Sequence, residues 1–513
     1  MAEPVLWTVD ELVAITGGAL RGAVAMPLTG VSIDSRSAAE GDIFAAIKGD
    51  RVDGHDYAET ALAAGAGLAI VSRPTAAMAA SGPLLVVDDV LEALEKIGLA
   101  SRARSKARII AVTGSVGKTS TKEMLRLALS ASGYTHASVA SFNNHWGVPL
   151  TLARMPADTA YGVFEIGMNH AGEITPLVKM VRPHVAVITT VVASHLGYFS
   201  SLAEIADAKA EIFSGVEPGG HAILNCDNEY FDRLAAAAGA AGIRDVVGFG
   251  RHGAAGVRLE RTALHADCSC ITASVLGEAV IYKLGIPGEH MVLNSLAALA
   301  AVKLAGADLA RAGLALAAVR PAKGRGVQSL LRAPGGRILL IDESYNANPV
   351  SVRAALALLR RAEPGRGGRR IAVLGDMLEL GREAEALHAE LAGAVDEAKV
   401  DVLYACGPLM AHLWDRIPPG RRGAYAEKSD GLAASLLGGL KAGDVVMVKG
   451  SLGSRMGPLV DAIRGQFTED RDAPGPKPST GMTAIVSNTK ERGFREGPAS
   501  AFSRPAPPDK DGR

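Results

Sequence analysis

Residues 111–125 read AVTGSVGKTSTKEML. The apolar run Ile109-Ile110-Ala111-Val112 comes just before the glycine loop Gly114-Ser115-Val116-Gly117-Lys118-Thr119, and a helical pattern starts near Thr119. A strand that turns through glycines into a helix gathers backbone N–H groups and a positive helix end at one point, where they can cradle phosphate. Lys118 is then placed for the terminal phosphates and Thr119 for a magnesium ion. The usual loop has four residues between its glycines, whereas two separate Gly114 from Gly117, so the pattern is met in part. Chance glycines ahead of Lys-Thr are the alternative, and the strand-to-helix context decides for phosphate.

Outward from this loop, buried-strand candidates follow at 162–166, 185–191 and 222–224 with helical segments between them, which implies a mainly parallel sheet. Upstream, TGVSIDSRS, GDIFAAIKG and DYAETALAAGAGLAIV alternate short strand and helix patterns, as in a small α/β unit. Downstream of a helix around Asn294 and the loop PAKGRG, the pattern restarts with RILLID, RIAVLGD, DVLYACG and DVVMVKG. Helix-length stretches between these runs predict a Rossmann-like domain whose ligands bind beyond the carboxyl ends of its strands. The expected fold is α/β in three domains: a small N-terminal α/β domain over 1–105, a central P-loop-type domain with a mainly parallel sheet over 106–320, and a C-terminal Rossmann-like domain over 321–465. The tail, 466–513, is rich in Pro, Gly and charge, with too few apolar residues to fold.

Composition agrees with a folded enzyme: 513 residues allow about three domains, each able to bury a core. Basic and acidic residues balance at 54 each, so no overall field attracts nucleic acid or an anionic membrane. The N-terminus lacks a basic region followed by an apolar core, and no uncharged apolar run reaches spanning length, so a cytoplasmic location without membrane insertion is expected. Cys226, Cys268, Cys270 and Cys406 have no paired spacing for a disulfide framework or zinc site, and read as reduced thiols.

Three further residues carry chemistry. Glu165, in FEIGMNHAGE, ends an apolar strand; buried alone it would cost several kcal/mol, so it needs a metal or a salt bridge, and position leaves the two readings even. His195, in TTVVASHLGYF, reaches the same sheet edge, although an isolated histidine is more often structural. Lys209 lies in LAEIADAKAEIF, where Leu202, Ile205, Ile212 and Phe213 fit one apolar helix face; on position alone it is a snorkelling surface lysine.

AVTGSVGKTSTKEML, FNNHWGVPLTL, EIGMNHAGEI, SHLGYFSSLAEIADAKAEIF, IPGEHMVLNSLAALAA, GRG, DESYNANPVS, LGDMLELG and VKGS follow one another along most of the chain. In that order they resemble the Mur ligases. The resemblance implies a first domain that holds a UDP-sugar, a second that holds ATP and a third that holds the incoming amine. It implies Gly114, Ser115, Val116, Gly117, Lys118, Thr119 and Ser120 around the ATP phosphates, with Asn294 and Arg325 also touching the nucleotide. Thr119 and Glu165 would hold one magnesium ion, and His195 a second with Lys209, the latter as a carbamate. Asp342 matches an acidic residue that joins the nucleotide site on closure, Tyr345, Asn346 and Asn348 a dipeptide pocket, and Ser35 and Arg36, in DSRS, a uridine-nucleotide motif.

Within the family, YNANP with GDMLELG, and FNN with GVPLTL, resemble the member that adds D-alanyl-D-alanine to UDP-N-acetylmuramoyl-tripeptide, a step of peptidoglycan precursor synthesis. The implied enzyme is a monomer that forms an acyl phosphate and releases ADP, phosphate and the UDP-N-acetylmuramoyl-pentapeptide. The rivals are a sister ligase for another amino acid, a folate polyglutamate ligase, a P-loop kinase or GTPase, and a nucleotide-binding regulator without catalysis. YNANP argues against the first two. Two positions depart from the family pattern: Met291 follows His290 where asparagine is frequent, and Glu343 stands where aspartate is usual.

Overall fold

Short apolar runs become the strands of three sheets in a computed structural model that describes residues 5–49, 52–194 and 196–470. The first sheet has five strands in the order Ala19–Arg21, Leu84–Val86, Leu68–Val71, Asp42–Ala45 and Gly30–Ser32, parallel except for the first pair. Its core holds Trp7, Leu12, Ile43, Leu68 and Leu85.

The central sheet has nine strands. From one edge they run Thr135–Ala137, Tyr161–Glu165, Arg108–Thr113, Val185–Ile188, His221–Asn225, Asp245–Gly250, Val257–Leu264, Ser269–Val275 and Glu278–Leu284. The first seven pair in parallel and the last two add as antiparallel hairpins. Residues in the inner parallel strands are buried on both faces and read as continuous apolar runs, whereas Ser269–Val275 alternates buried with exposed positions, as a one-sided strand should. Helices Lys118–Ser130 and Glu289–Leu304 cover one face, and Ile174–Val181 and Leu202–Ala210 the other.

The third sheet runs Val327–Ala333, Gly336–Glu343, Val445–Lys449, Arg370–Gly375, Val402–Cys406 and Arg422–Ala426. One antiparallel hairpin starts it and the rest is parallel. The chain stays in this fold past Gln466, further than composition suggests. Phe467 is 4% exposed, Arg332 N–H donates to Thr468 O, and the Asp470 carboxylate meets Arg332 and Arg337 at 2.7 and 2.6 Å. Four residues held by backbone pairing and one aromatic ring leave no compositional mark. The remainder of the tail, 471–513, lies outside the described residues.

A seam joins the first sheet to the central one. Leu150 and Ala153, on helix Gly147–Ala153, belong to the first core, and Trp7 Nε1–H donates to Ala153 O at 2.8 Å. The Arg104 guanidinium covers the Trp7 ring at 3.6 Å. Among the described residues all four cysteines are free thiols, and no helix is long and apolar enough to cross a membrane.

Candidate active site

The loop at 114–117 leaves strand Arg108–Thr113 and enters helix Lys118–Ser130. Gly114 (φ 146°) and Gly117 (φ 88°) adopt backbone angles that favour glycine, and both are crowded. A Cβ on Gly114 would strike Thr189 Oγ1, and one on Gly117 would lie 2.5 Å from Asn294 Nδ2. The short loop is therefore built for close approach, with Asn294 placed directly against it. Lys118 Nζ donates to Gly114 O at 2.7 Å. Burial lowers the Lys118 pKa, with the Glu165 charge opposing and Arg325 reinforcing the shift.

Beside the loop, Glu165 ends the neighbouring strand, in register with Val112, and is 1% exposed. Its Oε1 accepts from Asn143 Nδ2 at 2.7 Å, while Oε2 is buried with no hydrogen-bond partner among the described residues. A buried carboxylate oxygen left unpaired is costly, and this one lines a cleft. The segment that carries Asn143 is pinned from below. Lys122, fully buried, donates to Ser138 O and Ala140 O at 2.7 Å each, and Ser141 Oγ then lies 3.3 Å from Thr119 Oγ1.

Lys209 is 2% exposed, so the surface reading from its position gives way. Burial and the adjacent Lys118 charge lower its pKa well below the ordinary lysine value. His195 lies outside the described residues, but its neighbour Ser194 lines the cleft.

The opposite wall comes from the third sheet. Glu343 and Lys449 end neighbouring parallel strands, and Lys449 Nζ reaches Glu343 Oε2 at 3.2 Å and Asn346 O at 3.0 Å. Tyr345 and Asn346 line the cleft, and Arg325 bridges the walls, 4.2 Å over the Tyr345 ring and 3.4 Å from Ser141 Oγ. The loop after Arg370–Gly375 closes one end. Met377 N–H donates to His388 Nε2 and Leu378 N–H to Ser451 Oγ, each at 2.9 Å. Glu379 (φ 64°) turns its carbonyl to Gly197 N–H of the central domain at 2.9 Å. The cleft encloses about 430 Å³.

Not every expected residue meets here. Asp342 is buried away from the cleft, its Oδ1 accepting from Ser344 N–H and Oγ at 3.2 and 2.6 Å and its Oδ2 3.7 Å from Arg464. The cleft acid on that strand is Glu343 instead. Asn348 lines the cleft, but its Oδ1 caps helix Pro349–Arg361 through Ser351 N–H at 2.8 Å. Ser35 and Arg36 belong to the first domain, with Arg36 87% exposed and paired to Asp34. Ser141, Asn143, Lys449 and Ser451 were missed as site residues. All four lie at or just beyond strand ends or in glycine-flanked polar segments, which is the signal that could have found them.

A glycine loop at a helix N-terminus, faced across one cleft by the strand ends of a Rossmann-like domain, is the arrangement expected of a multidomain ligase. The particular family follows from its relatives. The Mur ligase middle domain matches residues 112–302, the glutamate ligase domain of Mur ligases 330–452, and the Mur ligase family catalytic domain 27–102. The chain belongs to the Mur ligase family. The UDP-N-acetylmuramoyl-tripeptide–D-alanyl-D-alanine ligase of Escherichia coli K12 is 38% identical over 78% of this chain and 86% of its own. That of Rickettsia prowazekii is 32% identical over 84% and 94%. The crystal structure of MurF from Acinetobacter baumannii superposes with a TM-score of 0.76 at 30% identity, covering 90% of this chain and 99% of its own. MurF of Thermotoga maritima, solved in complex with ADP, gives 0.69 at 26% identity over 85% and 97%.

Proposed function

We propose that the chain joins D-alanyl-D-alanine to UDP-N-acetylmuramoyl-tripeptide at the expense of ATP, giving the pentapeptide, ADP and phosphate. The observation that carries this reading is the placement of the Lys118 loop opposite Tyr345 and Asn346 in one cleft. A carboxylate oxygen is a poor leaving group, so the γ-phosphoryl group first passes to the tripeptide carboxylate. The dipeptide amine then attacks the acyl carbon, its proton is lost, and phosphate departs. Lys118 stabilises charge on the transferring phosphoryl group. Arg325, tied to both walls, holds them around the acyl phosphate and keeps water from it.

The residues present fit magnesium. Glu165 Oε2 is a buried oxygen awaiting a partner, with Thr119 Oγ1 on the adjoining helix and Asn143 holding the other carboxylate oxygen. When bound, the ion would neutralise phosphate charge at this point. Lys209 supports a second site: its lowered pKa leaves a neutral amine that can add carbon dioxide, releasing a proton and leaving an anionic carbamate near the Lys118 charge.

Phosphate release with ATP, UDP-N-acetylmuramoyl-tripeptide and each candidate amine tests the reading. D-alanyl-D-alanine should be the preferred amine by orders of magnitude. Preference for a single amino acid or for glutamate would assign a sister activity, and ATP hydrolysis indifferent to both other substrates would remove the ligase reading.

A further inference from the structure

The third sheet has a second opening that the reaction does not yet use. Helices that follow Gly336–Glu343, Arg370–Gly375 and Val402–Cys406 pack on one face, through Val352, Leu391 and Leu413. Those after Arg422–Ala426 and Val445–Lys449 pack on the other, through Leu436 and Leu459. Where neighbouring strands send their chains to opposite faces, a crevice opens beyond the carboxyl ends. One such place lies between Glu343 and Lys449 and belongs to the reaction cleft. Another lies between Val402–Cys406 and Arg422–Ala426, and there a second cleft of about 630 Å³ is lined by Cys406, Gly407, Glu427 and Lys428.

The two clefts share part of their lining. Leu378 and Gly453 line both. The segment that forms the common wall runs from Ser451 and Leu452 on the reaction side to Ser454 and Arg455 on the other. Arg455 is a non-glycine residue in left-handed backbone, φ 54° and ψ 45°, an arrangement that costs strain and so tends to persist where it serves a purpose. Its guanidinium makes no ion pair or hydrogen bond among the described residues.

The cations of the reaction cleft are committed. Lys118 serves the phosphate loop, Arg325 is tied to Tyr345 and Ser141, and Lys449 to Glu343. Lys428 also lines the second cleft but is flanked in sequence by the cleft-lining acids Glu427 and Asp430, and Asp376 accepts from Met410 N–H at 2.8 Å. A dipeptide has an amine at one end and a carboxylate at the other, about 7 Å away when extended. With its amine beside Tyr345 and Asn346, its other end needs a fork-shaped cation, and Arg455 is the arginine at the wall the clefts share that has no partner of its own among the described residues.

We propose that Arg455 is a specificity-determining residue that binds the carboxylate of the incoming dipeptide at the wall the two clefts share. This rests on the ligase reading above. The test compares D-alanyl-D-alanine with its C-terminal amide, by phosphate release, in the full-length wild type, Arg455→Gln and Lys428→Gln. The wild type should prefer the free acid by about tenfold or more in kcat/KM. Arg455→Gln should lose that preference through a raised KM for the free acid, with KM for ATP unchanged and the amide turned over as by the wild type. Lys428→Gln should keep the preference. Equal use of acid and amide by the wild type, or a preference retained in Arg455→Gln, overturns the assignment and leaves the ligase reading standing. Loss of preference in Lys428→Gln alone moves the anion site across the cleft and also overturns it. A wild type that releases no phosphate with either dipeptide brings down the ligase reading itself.

Discussion

Glu165 and Lys209 are charged residue types held almost out of water, and what each must find there differs. Glu165 has one oxygen satisfied by Asn143 and one open, so it gains from a cation. Lys209 faces the Lys118 charge, so it gains by losing its own. Lys209→Ala is expected to lower turnover by at least about a hundredfold while the melting temperature stays within a few degrees. A high-resolution map should show density beyond the Lys209 amine, and normal rates in the variant would end the carbamate proposal. Lys118→Ala is expected to abolish phosphate release with the fold intact by circular dichroism, since it removes a cation from a surface-opening loop. Single residues were legible here when their chemistry conflicted with their surroundings, as a glutamate in an apolar strand does. The surroundings of Asp342, named through the family resemblance, were not legible, because acidity alone does not show direction: Ser344, two residues on, takes its carboxylate in a local turn. Asn143 was legible as a motif letter but not as a site residue, and Ser141 as neither, because the Lys122 contacts that aim their segment link positions far apart in sequence.

The loop from Asp376 to Leu380 depends on one imidazole. His388 is fully buried; its Nε2 accepts from Met377 N–H, so Nδ1 carries the proton and donates to Ala384 O at 2.6 Å. Replacing it with methionine leaves Met377 N–H unpaired, and kcat should fall about tenfold as the Glu379–Gly197 contact loosens. His388→Gln, which restores an acceptor, should recover most of that rate. Burial lowers the His388 pKa against the opposing pull of the Ala384 hydrogen bond and the Asp376 charge, with His412 nearby adding to the lowering. The unfolded chain therefore binds a proton that the folded chain refuses, and stability falls as pH drops below the ordinary histidine value of 6.5. His388→Gln should flatten that slope in melting curves between about pH 5 and 7. At this scale, legibility followed periodicity. Strands buried on both faces stood out as continuous apolar runs, while the hairpins of 257–284, wet on one face, passed unseen.

For the molecule as a whole, the useful boundary is Asp470. Ending the chain after Gln466 removes the buried Phe467 ring, its backbone pairing and the Asp470 ion pairs, and should lower the melting temperature by roughly 5 °C. Ending it after Asp470 removes only the Pro-rich and charged remainder, and both kinetics and melting should match the full chain. Equal behaviour of the two truncations would show that the last docked turn is dispensable. The three-sheet organisation was legible because each domain restarts its own strand pattern. The seam was not, since Leu150 and Ala153 lie in the sequence of the central domain and pack in the core of the first.

That seam has an optical consequence. The Trp7 indole is dry, hydrogen-bonded to Ala153 and capped by a guanidinium, three conditions that set the colour and brightness of its emission. Parting of the first and central domains would wet the ring and release both partners at once. A chain whose other two tryptophans, Trp146 and Trp414, are replaced by phenylalanine would therefore report the joint between these domains by fluorescence alone, with no label attached.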